Sequence, residues 1–209
     1  MLKTFLLSIK SRMKLSWFAR RATIFTELIS GKDFSSTISQ EKLGYSIEQI
    51  NLGSPSSKKS LIKIFKEIDV NDNDRILDIG CAKGFAINFF LKMPFSRVDG
   101  LEISSKLATI CKKNFSKEDR IKIFNIDAVD FDNYSDYNYF YMYNPFPSSH
   151  ILKSVLEKIL SCHFKNKIFF IYNNAKNHEV FYEAGLKLHK KIKDPISPKK
   201  DIMIFCTHN

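Results

Sequence analysis

Arg75 to Phe85 reads RILDIGCAKGF, and the rest of the chain is organised around it. Ile76, Leu77 and Ile79 surround Asp78 as a short apolar run that predicts a strand. Gly80, Ala82 and Gly84 then make a small-residue turn, and the apolar run Phe85 to Leu91 predicts a helix. A strand, a small-residue turn and a helix present backbone N–H groups and a helix N-terminus to a ligand. Small residues there let the ligand approach the backbone. The dinucleotide pattern G-x-G-x-x-G fails twice, because Ala82 and Phe85 stand where its second and third glycines belong.

Working outward, strands and helices alternate. A helix over Ser57–Ile68, capped by Ser56 or Ser57, precedes the polar turn Asn71 to Asp74. Strands are expected at Arg75–Ile79, Arg97–Leu101, Ile121–Phe124, Tyr137–Tyr143 and Lys167–Tyr172. Helices are expected at Phe85–Lys92, Ser104–Phe115, Ser149–Leu160 and His178–Ala184. Leu186–Ile192 and Ile202–Thr207 have no helix between them and should pair as a hairpin. The fold class is α/β: a three-layer α-β-α sandwich whose mostly parallel seven-stranded sheet ends in an antiparallel hairpin.

Asp78, Gly80, Ala82 and Gly84 resemble the first motif of the class I S-adenosylmethionine (SAM)-dependent methyltransferases, an acidic residue followed by three alternating glycines. Ala82 is the one departure, and Cys81 sits in the turn as a small filler. The resemblance implies SAM over Gly80, Cys81, Ala82, Gly84 and Phe85. Glu102, 22 residues past Gly80, matches the acid that takes the ribose hydroxyls, with Ile103 beside it. Asp99 is its competitor in mid-strand. Asp127 matches the residue that takes the adenine amino group, with Ile126 and Ala128 flanking the ring; Asp130 is the alternative.

The segment Asn144-Pro145-Phe146-Pro147 is similar to the Asn/Asp-Pro-Pro-aromatic motif of amine and amide methyltransferases, with the last two residue types exchanged. It looks more like an Asn-Pro-Phe variant of small bacterial members, in which a later strand ends in a segment like Tyr172-Asn173-Asn174. In such a motif an Asn oxygen accepts from the substrate amine and aims its lone pair at the methyl group. Asn144, Pro145 and Phe146 are therefore the candidate catalytic residues. Holding acceptor and methyl in line at about 3 Å supplies most of the rate. His150 is a candidate base or a solvent-facing residue at a helix start, and Tyr143 and Tyr172 are pocket-lining or ordinary strand aromatics. No metal-ligand spacing occurs.

The resemblance implies a SAM-dependent methyltransferase, first of nitrogen on a protein side chain, RNA base or amino-bearing small molecule. Alternatives are an O-methyltransferase acting on a sugar, and a non-catalytic module that binds RNA or anionic membrane. The 209 residues carry a net charge of +11, much of it at the two ends, which suits an anionic partner or reflects solvated lysines. Residues 1–56 read as a basic helical segment and linker, and 57–209 as the SAM-binding domain. Within 1–30, basic and apolar residues alternate at near-helical spacing, which fits a packing or dimer helix, a membrane-surface helix or a transit segment. Four cysteines without C-x-x-C spacing point to a reducing, cytoplasmic setting, and no apolar run is long enough to span a bilayer.

Overall fold

The computed structural model describes residues 21–45, 56–162 and 166–208. Residues 1–20, most of the basic amphipathic segment, lie outside them. The described residues divide between Ile38 and Ser39 into two compact units. In the first, residues 21–29 form α1, on which Phe25, Leu28 and Ile29 are exposed. Glu27 ties the following turn, accepting from the N–H groups of Phe34 and Ser35.

The second unit carries a seven-stranded sheet in the order β3-β2-β1-β4-β5-β7-β6. The strands are β1 Arg75–Ile79, β2 Arg97–Leu101, β3 Ile123–Phe124, β4 Tyr139–Met142, β5 Phe169–Asn173, β6 Lys187–Lys193 and β7 Asp201–Cys206. The first five run parallel, and β7 lies antiparallel to both β5 and β6. The order reverses between β1, which leads to β2, and β4, so a crevice opens above β1 and β4 at their carboxyl ends.

One face is covered by α3 (Lys58–Ile64), α4 (Phe85–Phe90) and α5 (Ser105–Asn114). Here Phe65, Phe89, Phe90 and Phe95 pack against one another in tilted and edge-on pairs, and Phe90 and Phe95 reach Tyr141 and Tyr139 of β4. The other face is covered by α6 (Ser149–Leu160) and α7 (Glu179–Glu183). Its core joins Leu77, Phe140, Met142, Phe170 and Phe205 of the sheet to Leu152, Val155, Leu156 and Ile159 of α6 and Phe181 of α7.

Where the structure departs from the expected boundaries, local chemistry accounts for it. The helix expected over Ser57–Ile68 starts at its Ser57 cap but stops at Ile64. The helix after the glycine turn stops at Phe90 rather than Lys92. Its last amides tighten to three-residue spacing, Lys92 N–H onto Phe89 and Met93 N–H onto Phe90, ahead of Pro94, whose ring disfavours helical geometry in the residue before it. β4 begins at Tyr139 rather than Tyr137, because Tyr137 closes a short 3₁₀ turn (Asn133–Asp136). β3 loses Ile121 and Lys122, the latter turning its N–H to Asp99. β5 gains Asn173, which pairs with Ile202.

Two further features fall outside a simple alternation. The connection from β3 to β4 holds two 3₁₀ turns instead of a helix, and Phe131 and Tyr134 fill the space beneath α6. The stretch read as a plain linker contains α2 (Gln40–Leu43), with Leu43 buried and the Tyr45 hydroxyl donating to Ile103 O at 3.0 Å.

Candidate functional site

The turn after β1 is held from below. Gly80 and Cys81 both donate their N–H groups to Leu101 O at 2.9 Å, and Gly84 donates to Cys81 O at 2.8 Å. Ala82 donates to Glu102 Oε2 at 2.8 Å, and the other oxygen of that carboxylate takes the Ser104 N–H at 2.8 Å. The expectation that this turn presents its amides to a ligand is therefore corrected: those of Gly80, Cys81, Ala82 and Gly84 are spent inside the protein. The helix behind it, α4, is only six residues long and its cap makes no side-chain bond. A loop of this kind is poorly furnished for a pyrophosphate, which needs free amide donors.

What the loop offers instead is negative charge and room. Asp78 is 97% buried by its relative exposure of 3%, and among the described residues no donor satisfies its carboxylate. Burial, and then the charge of Glu102, push its pKa well above the usual carboxylate range. Glu102 is raised as well, by burial, with the Ser104 and Ala82 amides pulling the other way. Two crowded carboxylates, neither of them ion-paired among the described residues, suit a ligand that brings positive charge. SAM brings both an ammonium and a sulfonium.

Glycine is required at two points of the cradle. A Cβ on Gly80 would stand 2.7 Å from Pro145 Cβ, and one on Gly84 would stand 2.4 Å from the Phe115 ring. Both residues also have left-handed φ, +78° and +85°. Ala82 shares that conformation, at φ +47°, and is exposed. A left-handed alanine costs roughly 1–2 kcal/mol. Ala82→Gly should therefore hold or raise the melting temperature, where a glycine elsewhere costs about 0.5–1 kcal/mol. Thermal denaturation monitored by circular dichroism checks this.

Toward β3, Asp127 caps the 3₁₀ turn Ala128–Asp130 by accepting the Val129 N–H at 3.1 Å, while Asp130 is exposed. Ala128 is buried and Ile126 half-buried beside it. Asn125 donates to the carbonyls of Glu102 and Ile103, linking the β2 and β3 ends. Asp99, the competitor of Glu102, has a structural place. It is fully buried, accepts from the Tyr137 hydroxyl and the Lys122 N–H, and pairs with Arg97.

Past the end of β4, Asn144 takes a left-handed turn at φ +43°, a conformation asparagine tolerates better than most residues. Its side chain is buried, and its Oδ1 accepts the Tyr172 hydroxyl at 2.6 Å. A carbonyl oxygen has two lone pairs and can accept from more than one donor. Pro145 packs over Gly80, which brings the Asn-Pro turn against the motif loop. Phe146 is half-buried at the edge of the α6 core. His150 is exposed in the first turn of α6, lining an open depression with Lys153, Asn177 and Glu179. Among the described residues no cluster of His, Cys, Asp or Glu is arranged to hold a metal ion.

The structure adds partners with no sequence signature. The Tyr141 hydroxyl lies 2.5 Å from Ser56 Oγ and accepts the Asn173 amide at 3.1 Å. Lys200 donates to the Tyr143 hydroxyl at 3.1 Å. Each pair joins residues distant in sequence, and only the Tyr172-Asn173-Asn174 segment carried any hint of them.

The fold recurs in known methyltransferases. A SAM-dependent methyltransferase from Aquifex aeolicus superposes with a TM-score of 0.55 at 14% identity, covering 70% of this chain and 88% of its own. Aeropyrum pernix fibrillarin with bound S-adenosyl-L-methionine also gives 0.55, at 14% identity and 70% and 72% coverage. An RNA methyltransferase from Salinibacter ruber, in complex with S-adenosyl-L-homocysteine, gives 0.54 at 16% identity and 73% and 92% coverage. At these identities the likeness is one of fold. No curated protein matches the sequence. The profile described as ribosomal RNA adenine dimethylase matches residues 56–205, from the start of α3 to the last strand. That match covers most of the chain and the whole crevice, so the protein is a SAM-dependent methyltransferase that belongs to the ribosomal RNA adenine dimethylase family.

Proposed function

We propose that this enzyme methylates the exocyclic amino group of an adenine in RNA. The observation that carries the reading is the Asn144 amide. It is buried just past the end of β4, and the Tyr172 hydroxyl orients its Oδ1, a carbonyl oxygen of the kind that can accept from more than one donor. An amine N–H donated to Asn144 Oδ1 turns the nitrogen lone pair away from the amide and toward the crevice. Phe146, half-buried next to it, supplies an aromatic face for a base.

In this reading Asp78 faces the methionine end of SAM, Gly80, Cys81, Ala82, Gly84 and Phe85 form its floor, and Glu102 with Ile103 takes the ribose. Asp127 and Ala128 hold the adenine. Bound SAM supplies an electrophilic methyl group. The protein's part is to orient the amine and keep its lone pair free, and the proton lost from nitrogen after transfer can leave to solvent without a dedicated base. The anionic partner implied by a net charge of +11 is then the RNA itself.

The test is transfer of labelled methyl from SAM to ribosomal and transfer RNA, with nucleoside mass spectrometry of the digest. N6-methylated adenosine is the expected product. Methyl groups found only on sugar hydroxyls, on protein or on small amines would overturn the adenine assignment.

A further inference from the structure

Beside the Asn-Pro turn, on the α3 side of the sheet, lies a row of polar groups that the cofactor does not account for. Tyr139 and Tyr141 face that side from β4, and Tyr143, just past the end of the strand, lies near enough to Tyr141 to act on it electrostatically. Lys200 reaches Tyr143 from just before β7, its Nζ 3.1 Å from the hydroxyl and 5.5 Å from the ring centroid. The lysine is held by a built turn. Its N–H bonds to Ser197 O, its carbonyl accepts from Asp194 N, and the Asp194 carboxylate is clamped by Ser60 of α3 at 2.7 Å.

Its neighbours differ from it. Lys191 and Lys193 both pair with Asp201, at 3.0 and 2.6 Å. Among the described residues Lys200 forms no ion pair with a carboxylate, although Asp194 lies near enough to sense its charge. A second, independent feature sits on the same face. Asn173 ends β5 fully buried, donates its amide to Tyr141, and leaves its buried Oδ1 without a partner among the described residues. An orphaned buried acceptor costs about 1–3 kcal/mol. Such a cost is retained where a bound group supplies the missing donor.

We propose that Lys200, Tyr143 and Asn173 form a sugar–phosphate subsite for the nucleotide whose base enters at Asn144–Phe146. The Lys200 ammonium, steadied on the Tyr143 ring, contacts a phosphodiester oxygen. Asn173 Oδ1 accepts from a ribose hydroxyl, the group that distinguishes RNA from DNA. This inference rests on the RNA reading above.

The experiment compares wild type, Lys200→Gln and Lys200→Arg on one adenine-containing oligoribonucleotide and on the same oligonucleotide with deoxyribose at the target. Circular dichroism and S-adenosylhomocysteine titration first establish that the variants fold and bind cofactor as wild type does. Lys200→Gln is expected to raise the KM for the oligoribonucleotide about tenfold with kcat little changed. It should also reduce the salt dependence of KM by about one ion equivalent. Arginine should restore both. The deoxy substrate should raise the KM of wild type. If wild type methylates the RNA but Lys200→Gln matches it in KM and salt slope, the subsite is wrong and the adenine reading stands. Equal wild-type KM values for the two sugars overturn the Asn173 assignment. If wild type transfers no methyl to RNA, both readings fall together.

Discussion

Asp78→Asn is expected to raise the melting temperature of the ligand-free protein while weakening SAM binding by at least about tenfold, or ~1.4 kcal/mol. The two effects have one origin. Asp78 is buried, lacks a donor among the described residues and stands near Glu102, so burial and like charge raise its pKa. A carboxylate whose folded pKa lies above its unfolded value, about 3.9, favours folding while it is protonated. That contribution is complete below the unfolded pKa and is lost as pH rises through the folded one. The ligand-free wild type should therefore lose stability with rising pH across that window, and the asparagine variant should lose less, because only the smaller contribution of Glu102 and its neighbours remains. At neutral pH the variant should melt at least about 2 °C higher, which corresponds to ~1 kcal/mol in a chain of this length. The curves should converge toward low pH. SAM supplies the cation that makes the charged form favourable, so the uncharged variant gives up affinity for stability. Thermal denaturation across pH, paired with calorimetric titration of SAM, reads both. Unchanged affinity would remove Asp78 from the cofactor site. A lower melting temperature would mean that the carboxylate has a structural partner.

Asn144→Ala should reduce methyl transfer by about 10²–10³-fold, the usual loss when one group that orients or stabilises the reacting centre is removed. SAM affinity should change by less than about threefold. Alanine also carries a penalty at φ +43°, so Asn144→Gly, which keeps the left-handed turn at little cost, is the companion variant. Single-turnover transfer and cofactor titration on both variants separate the two roles. Retained binding with lost transfer places the amide at the acceptor nitrogen. Joint loss of both in the glycine variant makes Asn144 a packing residue that supports Pro145 over Gly80.

Much of the architecture was legible because each signal was local. The apolar run Ile76, Leu77 and Ile79 becomes a central strand, and Ser148 caps α6 over the range its periodicity predicts, Ser149–Leu160. The closing hairpin follows from two strand patterns with only a proline-containing loop between them. Boundaries were less legible where one remote bond decides them. β3 shortens because Asp99 takes the Lys122 amide, and β4 because Tyr137 finishes a 3₁₀ turn.

For the site the division is sharper. Sequence by itself determined the residue types at the strand ends, since a small-residue turn and carboxylates at set distances from it are properties of spacing. It also determined that the turn is not a dinucleotide loop. Only the tertiary structure decided what those groups have left to offer. It spends the amides of Gly80, Cys81 and Ala82 on Leu101 and Glu102, leaves Asp78 without a donor among the described residues, and seats Pro145 on Gly80. It joins Tyr172 to Asn144 and Lys200 to Tyr143 across 28 and 57 residues of chain. The physical reason is that hydrogen bonding and desolvation depend on which groups meet in space, and a parallel sheet brings strand ends together from segments far apart in the chain.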